Sequence, residues 1–218
     1  MPRPMKIDFV SDISCPWCII GLRGLEIALD RIGGATEAQI IFHPFELNPD
    51  MPPGGQDIGE HIAQKYGASP QQRKANGAMI RQRAADVGFT MADRLDGRIY
   101  NTFDAHRLLH WAKSEGCQLE LKHRLFSAYF TDGEALEDHD VLIRCAADAG
   151  LDPAKGRAIL ESDRFAAEVR AEEETWRRGG VSSVPTIVID DRYVINGGQP
   201  PEAFERALRR IAEEAVGA

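Results

Sequence analysis

An α/β fold interrupted by a large all-helical insertion is what this 218-residue sequence predicts. Three observations carry the prediction. Strand-length runs of β-forming residues stand only towards the two ends of the chain, at Lys6 to Val10, Gln39 to Leu47, Thr186 to Ile189 and Tyr193 to Ile195. From about Asp57 to Gly179 nothing reads as a strand, and apolar residues recur at helical spacing instead. A Cys15-Pro16-Trp17-Cys18 run lies where the first strand pattern gives way to the first helical one.

The first strand places Ile7 and Phe9 on one face. The first helix runs from about Pro16 to Ile32. Proline suits the first helical position, where its missing N–H costs nothing, and Gly33-Gly34 stops the helix. After the second strand, Asn48-Pro49-Asp50-Met51-Pro52-Pro53-Gly54-Gly55 is rich in turn formers and reads as a boundary. Helical stripes follow at Ile58, Ile62, Tyr66, then at Met79, Ile80, Ala84, Val87, then at Ala105, Leu108, Leu109, Ala112. Two more stripes are Leu121, Leu125, Tyr129 and Val141, Leu142, Cys145, Ala149, with Gly116, Gly133 and Gly150 as punctuation. A charged helix runs from roughly Asp163 to Arg178, and its Glu172-Glu173-Glu174 run reads as a solvated face. Asp190-Asp191-Arg192 joins the last two strands as a hairpin turn, and Pro200-Pro201 opens a helix with Phe204, Leu208, Ile211 and Ala215 on one face. The order is strand, helix, strand, helices, strand, strand, helix. With the middle helices taken as an insertion it matches the thioredoxin fold, with residues 1–55 and 163–218 as the thioredoxin-like domain and 56–162 as the inserted helical subdomain.

Composition narrows the function classes. Apolar residues make up 43% of the chain, enough for an ordinary core. A net charge of −8 with no basic block argues against a nucleic-acid partner. The N-terminal Met1-Pro2-Arg3-Pro4-Met5-Lys6 stretch leads into a run too short and polar for a signal peptide, and no segment approaches the length of a membrane span. A cytoplasmic location without a membrane partner is therefore expected. There, four cysteines point to catalysis or metal binding rather than to a disulfide framework.

Cys15 and Cys18 are three apart, so a helix brings them to one face with their β-carbons within bonding reach. Cys15 falls at the helix cap, beside unpaired N–H groups and the positive end of the dipole, which favour a thiolate. The stripe Cys18, Leu22, Leu25, Leu29, Ile32 aims Cys18 at the core and leaves Cys15 towards the open end. Cys15 is thus the expected nucleophile and Cys18 the resolving thiol. Half of a zinc site is the competing reading. Zinc wants four ligands, usually with a second closely spaced pair, and Cys117 and Cys145 are isolated. No metal is therefore expected. Trp17 carries no charge to stabilise a thiolate and is a candidate hydrophobic lip for peptide substrates.

The Cys15-Pro16-Trp17-Cys18 motif, the helical insertion and the later Val184-Pro185-Thr186 resemble the DsbA-like branch of the thioredoxin superfamily. Ser11-Asp12, Pro44-Phe45-Glu46-Leu47-Asn48-Pro49 and Asn101-Thr102-Phe103-Asp104-Ala105-His106-Arg107 are similar to the FrnE-like oxidoreductases within it. The resemblance spans nearly the whole chain. It implies a redox-active Cys15–Cys18 disulfide with no other cofactor, and a disulfide- or thiol-containing protein or small molecule as substrate. It also implies a cis bond at Val184-Pro185, where proline blocks metal capture and the Val184 backbone is free to pair with an extended substrate segment. Homodimerisation is an expectation from relatives alone. A strongly oxidising couple near −120 mV would stand about 160 mV above a cytosolic poise of roughly −280 mV, so reduction or isomerisation is the expected direction there.

Two other functions compete. One is a glutathione-dependent isomerase or transferase, like the related 2-hydroxychromene-2-carboxylate isomerases, with glutathione as co-substrate. Those relatives usually carry serine where Cys15 stands, and Ser-Asp where this chain has Gly197-Gly198-Gln199-Pro200. The other is a non-catalytic peptide-binding, chaperone-like module. Asp12 is read first as a turn residue, with a proton-shuttle role towards Cys18 as the alternative. His106 is read first as a packed histidine, with a supporting role as the alternative. His43 and Glu46 alternate on the second strand, either buried near the site or at its rim. Cys145 reads as a buried small hydrophobe, Cys117 as an exposed thiol at a helix end, and a disulfide between them is left open.

Overall fold

A computed structural model describes residues 4–33, 37–93 and 97–216, without the side chains of 215 and 216. Ala215 of the expected last stripe and Gly34 of the expected helix stop thus lie outside the described residues. A four-stranded sheet has the order β2-β1-β5-β6, from Met5–Ser11 (β1), Ala38–Pro44 (β2), Thr186–Ile189 (β5) and Tyr193–Asn196 (β6). β1 runs parallel to β2, with Phe9 opposite Phe42, and antiparallel to β5, with Phe9 opposite Ile187. The parallel pair is linked by helix α1 (Pro16–Ile32), as a parallel crossover requires. Asp190 and Asp191 take positive φ of 51° and 54° in the β5–β6 turn, a conformation that aspartate tolerates better than most residues. Helix α9 (Pro201–Val216) closes the unit on α1, burying Phe204, Leu208 and Ile211.

Between β2 and β5 lie α2 (Ile58–Tyr66), α3 (Pro70–Asp86), α4 (Phe103–Glu115), α5 (Gln118–Phe126), α6 (His139–Asp148), α7 (Pro153–Leu160) and α8 (Ala166–Arg178). A single π turn, Ser127–Thr131, extends α5. The thioredoxin fold with a helical insertion is therefore present as the element order implied. Buried residues of β1 and α1 run without a break into Leu108, Leu121, Leu125 and Leu142 of the insertion, so one apolar cluster underlies both.

Five expectations need correction. The stretch from Asp57 onward is not free of strand: Gln56–Asp57 (β3) pairs antiparallel with Arg98–Ile99 (β4), a two-residue ribbon too short for any periodicity to show. β2 stops at Pro44 rather than Leu47. The next residues leave the sheet because their amides find carboxylates elsewhere, Glu46 N on Glu173 and Leu47 N on Asp12. The charged helix starts at Ala166, after Phe165 turns at φ 65°. Its Glu172-Glu173-Glu174 run is no solvated face: Glu173 is fully buried, because α8 packs on β2 with that side inward, while Arg170 supplies the counter-charge. The stripes of α2 and α3 are also thinner than expected, since α2 buries no residue fully and Tyr66 and Met79 stay exposed.

Candidate active site

The turn between β1 and α1 is organised by Asp12. Its carboxylate accepts Ser14 N at 3.2 Å, Ser14 Oγ at 3.0 Å and Leu47 N at 2.7 Å, fixing the entry to the helix and tying it to the chain beyond β2. Cys15 is the N-cap, in extended conformation, and its side chain makes no capping bond. Pro16 follows at the first helical position. The Cys15 sulfur is thus not used by the helix. It donates instead to the carbonyl of Val184 at 3.6 Å, on the loop that carries the cis Val184-Pro185 bond. One turn later Cys18 N donates to Cys15 O at 3.0 Å, and the Cys18 thiol is near enough to that of Cys15 for each to act on the other's ionisation.

Burial corrects one expectation. Cys18 is fully enclosed, and Cys15, expected at the open end, is itself only 4% exposed. Around the motif, backbone segments approach as only glycines permit. A Cβ on Gly21 would meet Gly198 Cα at 3.1 Å and Pro185 Cγ at 3.3 Å; one on Gly198 would meet Trp17 O at 2.6 Å. The first turns of α1, the cis-proline loop and the segment after β6 are therefore packed tightly against one another. Trp17 is half-buried and packs towards α3 with Ile20, Ala84 and Val87, so its indole is part wall and part surface. Tyr66, exposed on α2, is near enough to feel the charge of Cys15.

The interior behind the sulfurs holds several charged groups. Burial works to raise the Asp12 carboxyl, but His106 and the amides of Leu47 and Ser14 outweigh it and hold it below the usual carboxylate range. The His106 Nε2 stands 3.7 Å from Asp12 Oδ1, beyond ordinary hydrogen-bond distance. Burial pushes the Cys18 thiol well up, the adjacent Cys15 adds to this, and Lys122 pulls the other way. Lys122, from α5, is wholly enclosed, and its Nζ has no hydrogen-bond partner. Glu46, buried next to Glu173 and bridged to Arg170, is pushed up to about 7, first by burial and then by the Glu173 charge. His43 lies between Asp8 Oδ1, at 2.8 Å, and Glu172 Oε1. Burial works to raise Glu172, yet His110 and His43 hold it down at about 2.

The structure thus brings Cys15, Cys18, Val184, Pro185 and Asp12 together, with His106 behind Asp12. Both His43 and Glu46 are buried rather than at a rim. Asn101 and Arg107 serve the frame. Asn101 Oδ1 accepts Phe103 N at 2.8 Å at the start of α4, while Arg107 donates to the carbonyls of Ile159, Ser162 and Arg164. Cys117 is half-buried at the cap of α5, and Cys145 is buried on α6, where burial pushes its thiol up to about 11. Lys122 escaped sequence reasoning because it stands beside the stripe Leu121, Leu125, Tyr129, where a lysine ordinarily marks the solvent edge. Among the described residues, no group of three or more His, Cys, Asp or Glu side chains could hold a metal ion, and no helix is long and apolar enough to cross a membrane.

A thioredoxin-like sheet whose first helix opens on two thiols three residues apart, the first facing a cis-proline loop, defines the thioredoxin-superfamily class. The match to the DSBA-like thioredoxin domain spans residues 6–209, and the chain belongs to that family. It is similar to a probable DsbA oxidoreductase of Streptomyces coelicolor, at 34% identity and TM-score 0.86, covering 94% of this chain and 89% of that one. It also resembles YwbO of Bacillus subtilis, an uncharacterized protein 25% identical over 205 residues, 94% of this chain and 96% of the relative. The cytosolic disulfide reductase DsbM of Pseudomonas aeruginosa, solved with glutathione, shares the fold at 16% identity and TM-score 0.64, covering 95% and 99% of the two chains.

Proposed function

We propose that the chain is a thiol–disulfide oxidoreductase in which Cys15 and Cys18 cycle between dithiol and disulfide. The observation that carries the reading is the Cys15 sulfur, left unused by its own helix and set against Val184, with the buried Cys18 thiol one helical turn behind it. As a thiolate, Cys15 attacks one sulfur of a substrate disulfide. That S–S bond breaks, and the other half departs with its electron pair as a thiolate. Cys18, deprotonated, then attacks Cys15, releases the first half as a second thiolate and leaves Cys15–Cys18 oxidised. The substrate disulfide is reduced by two electrons and the dithiol oxidised by two. The reverse sequence hands a disulfide to a substrate dithiol.

Substrates are protein or small-molecule disulfides. The Val184 backbone receives an extended segment, with Trp17 and Tyr66 beside it as apolar surface. In a reducing cytosol the net direction is reduction or isomerisation, and glutathione is a suitable thiol to regenerate the pair. Gly198 weakens the glutathione-dependent isomerase reading: its Cβ position is blocked by Trp17 O at 2.6 Å, so that this position cannot carry the carboxylate that the resemblance places in that stretch. Insulin reduction with a dithiol donor tests the proposal. Cys15→Ser should reduce the rate to background, and equal activity in the variant would refute it.

A further inference from the structure

Helix α5 is pinned to the sheet by Gln118, which accepts Phe42 N at 3.0 Å and donates to Phe42 O at 3.0 Å and Leu109 O at 3.2 Å. One turn further on, the same face of the helix carries Lys122 into the interior. Lys122 is wholly buried, and its Nζ has no hydrogen-bond partner among the described residues. The Nε2 of His106, a side chain only 2% exposed, has none either. Both residues line one cavity between β2, α4, α5 and α8. Phe42 forms part of its wall, and the Lys122 ammonium stands 5.5 Å from the centroid of that ring. The centre of a water-sized sphere has about 10 Å³ to occupy there, so the cavity holds one small species. Its charged and titratable walls are Lys122, His106, His43, His110, Lys113 and Glu172. His110 and Lys113, 26% and 42% exposed, stand towards solvent, while Lys122 and His106 are the enclosed pair.

The carboxylates nearby already have partners. Glu172 meets His43 through Oε1 and His110 through Oε2, at 3.3 Å, with Lys113 at 3.9 Å. Asp12 accepts Ser14 N on Oδ1, and Ser14 Oγ and Leu47 N on Oδ2. Asp12, Cys18 and Cys15 act on Lys122 from beyond contact. We infer that the cavity is a binding site for one monovalent anion of halide size, such as chloride, held between Lys122 and His106. A halide only accepts hydrogen bonds, which suits an ammonium and an imidazole N–H that both lack an acceptor. It also supplies the negative charge that a buried ammonium needs and that a neutral water would not. Phosphate and carboxylate ligands are too large for the space. Burial lowers Lys122 to about 8, so the charged form still prevails at neutral pH. The site goes beyond the oxidoreductase reading and does not depend on it.

Thermal unfolding at pH 7, with sodium chloride replacing sodium gluconate at constant ionic strength, tests the inference. The Tm of the unaltered chain should rise and then level off, by about 3–6 °C at tenfold excess over the dissociation constant. Lys122→Met should lose that saturable rise, whatever its own Tm. No rise in the unaltered chain, or an equal rise in both proteins, overturns the site. Should Lys122→Met fail to fold, crystals of the unaltered protein grown in sodium bromide decide. An anomalous bromide peak within hydrogen-bond reach of Lys122 Nζ and His106 Nε2 supports the site. Bromide at the molecular surface alone, an adventitious ion only, or a cavity holding only water, overturns it.

Discussion

Glu46→Gln should remove a pH dependence of stability that the unaltered protein shows between about pH 4.5 and 7. Glu46 is buried next to Glu173, with Arg170 bridging the two and the Glu46 Oε1 left without a partner. Burial, then the Glu173 charge, raises its carboxyl from 4.5 to about 7, against the pull of Arg170. Between those values the unfolded chain has lost the proton and the folded one keeps it, so stability is full below pH 4.5 and falls as the pH rises towards 7. At roughly 1.4 kcal/mol for each tenfold, the loss amounts to about 3 kcal/mol. Glu172, held at about 2, works in the opposite sense but in another window: its stabilisation is present above 4.5 and lost as the pH falls towards 2. His61, lowered by burial and by Lys65, loses stability as the pH falls through its usual range, and the comparison of unaltered chain with variant cancels it. Guanidinium unfolding at pH 5, 6 and 7.5 is the assay. The unaltered chain should lose about 2–3 kcal/mol across the series relative to Glu46→Gln. Parallel curves for the two proteins would refute the reasoning.

Other substitutions probe the frame and the chemistry. Gly198→Ala forces a Cβ to within 2.6 Å of Trp17 O and should cost about 1–3 kcal/mol, read as a lower Tm, with an unchanged Tm counting against the close approach. Arg107→Ala strands the carbonyls that link α7 to α8 and should cost about 2–4 kcal/mol in denaturant unfolding. Lysine at the same position should fail to restore stability, because a single ammonium cannot reproduce the fork, and full rescue would contradict that geometry. Cys18→Ala should leave Cys15 able to attack but unable to be released, so mixed disulfides at Cys15 accumulate and are seen by mass spectrometry. Their absence would remove Cys18 from the resolving role.

Much of the frame was legible because it depends on local rules. Pro16 and Gly33 bound α1 at the residues that cap preference selects, and the two-residue period of Ile7 and Phe9 marks β1. Asp190-Asp191 announces its turn through the tolerance of aspartate for positive φ. What escaped depends on contacts between distant segments. Glu173 reads as solvent-facing because only the docking of α8 on β2 turns it inward. The burial of Cys15 goes with its sulfur meeting the Val184 carbonyl across most of the chain, which no spacing within the motif reports. Lys122 is hidden for the same reason, since only Gln118 gripping Phe42 aims that face of α5 inward.

The central claim is that Cys15 and Cys18 form one two-electron couple. Equilibration of the chain in glutathione buffers of graded potential, followed by denaturation in an alkylating agent and peptide mass spectrometry, tests it most directly. The account predicts that Cys15 and Cys18 lose alkylation together over a single transition while Cys117 and Cys145 remain alkylated throughout. If Cys15 ends as a glutathione adduct beside a free Cys18, or both stay free across the whole range, the account is wrong.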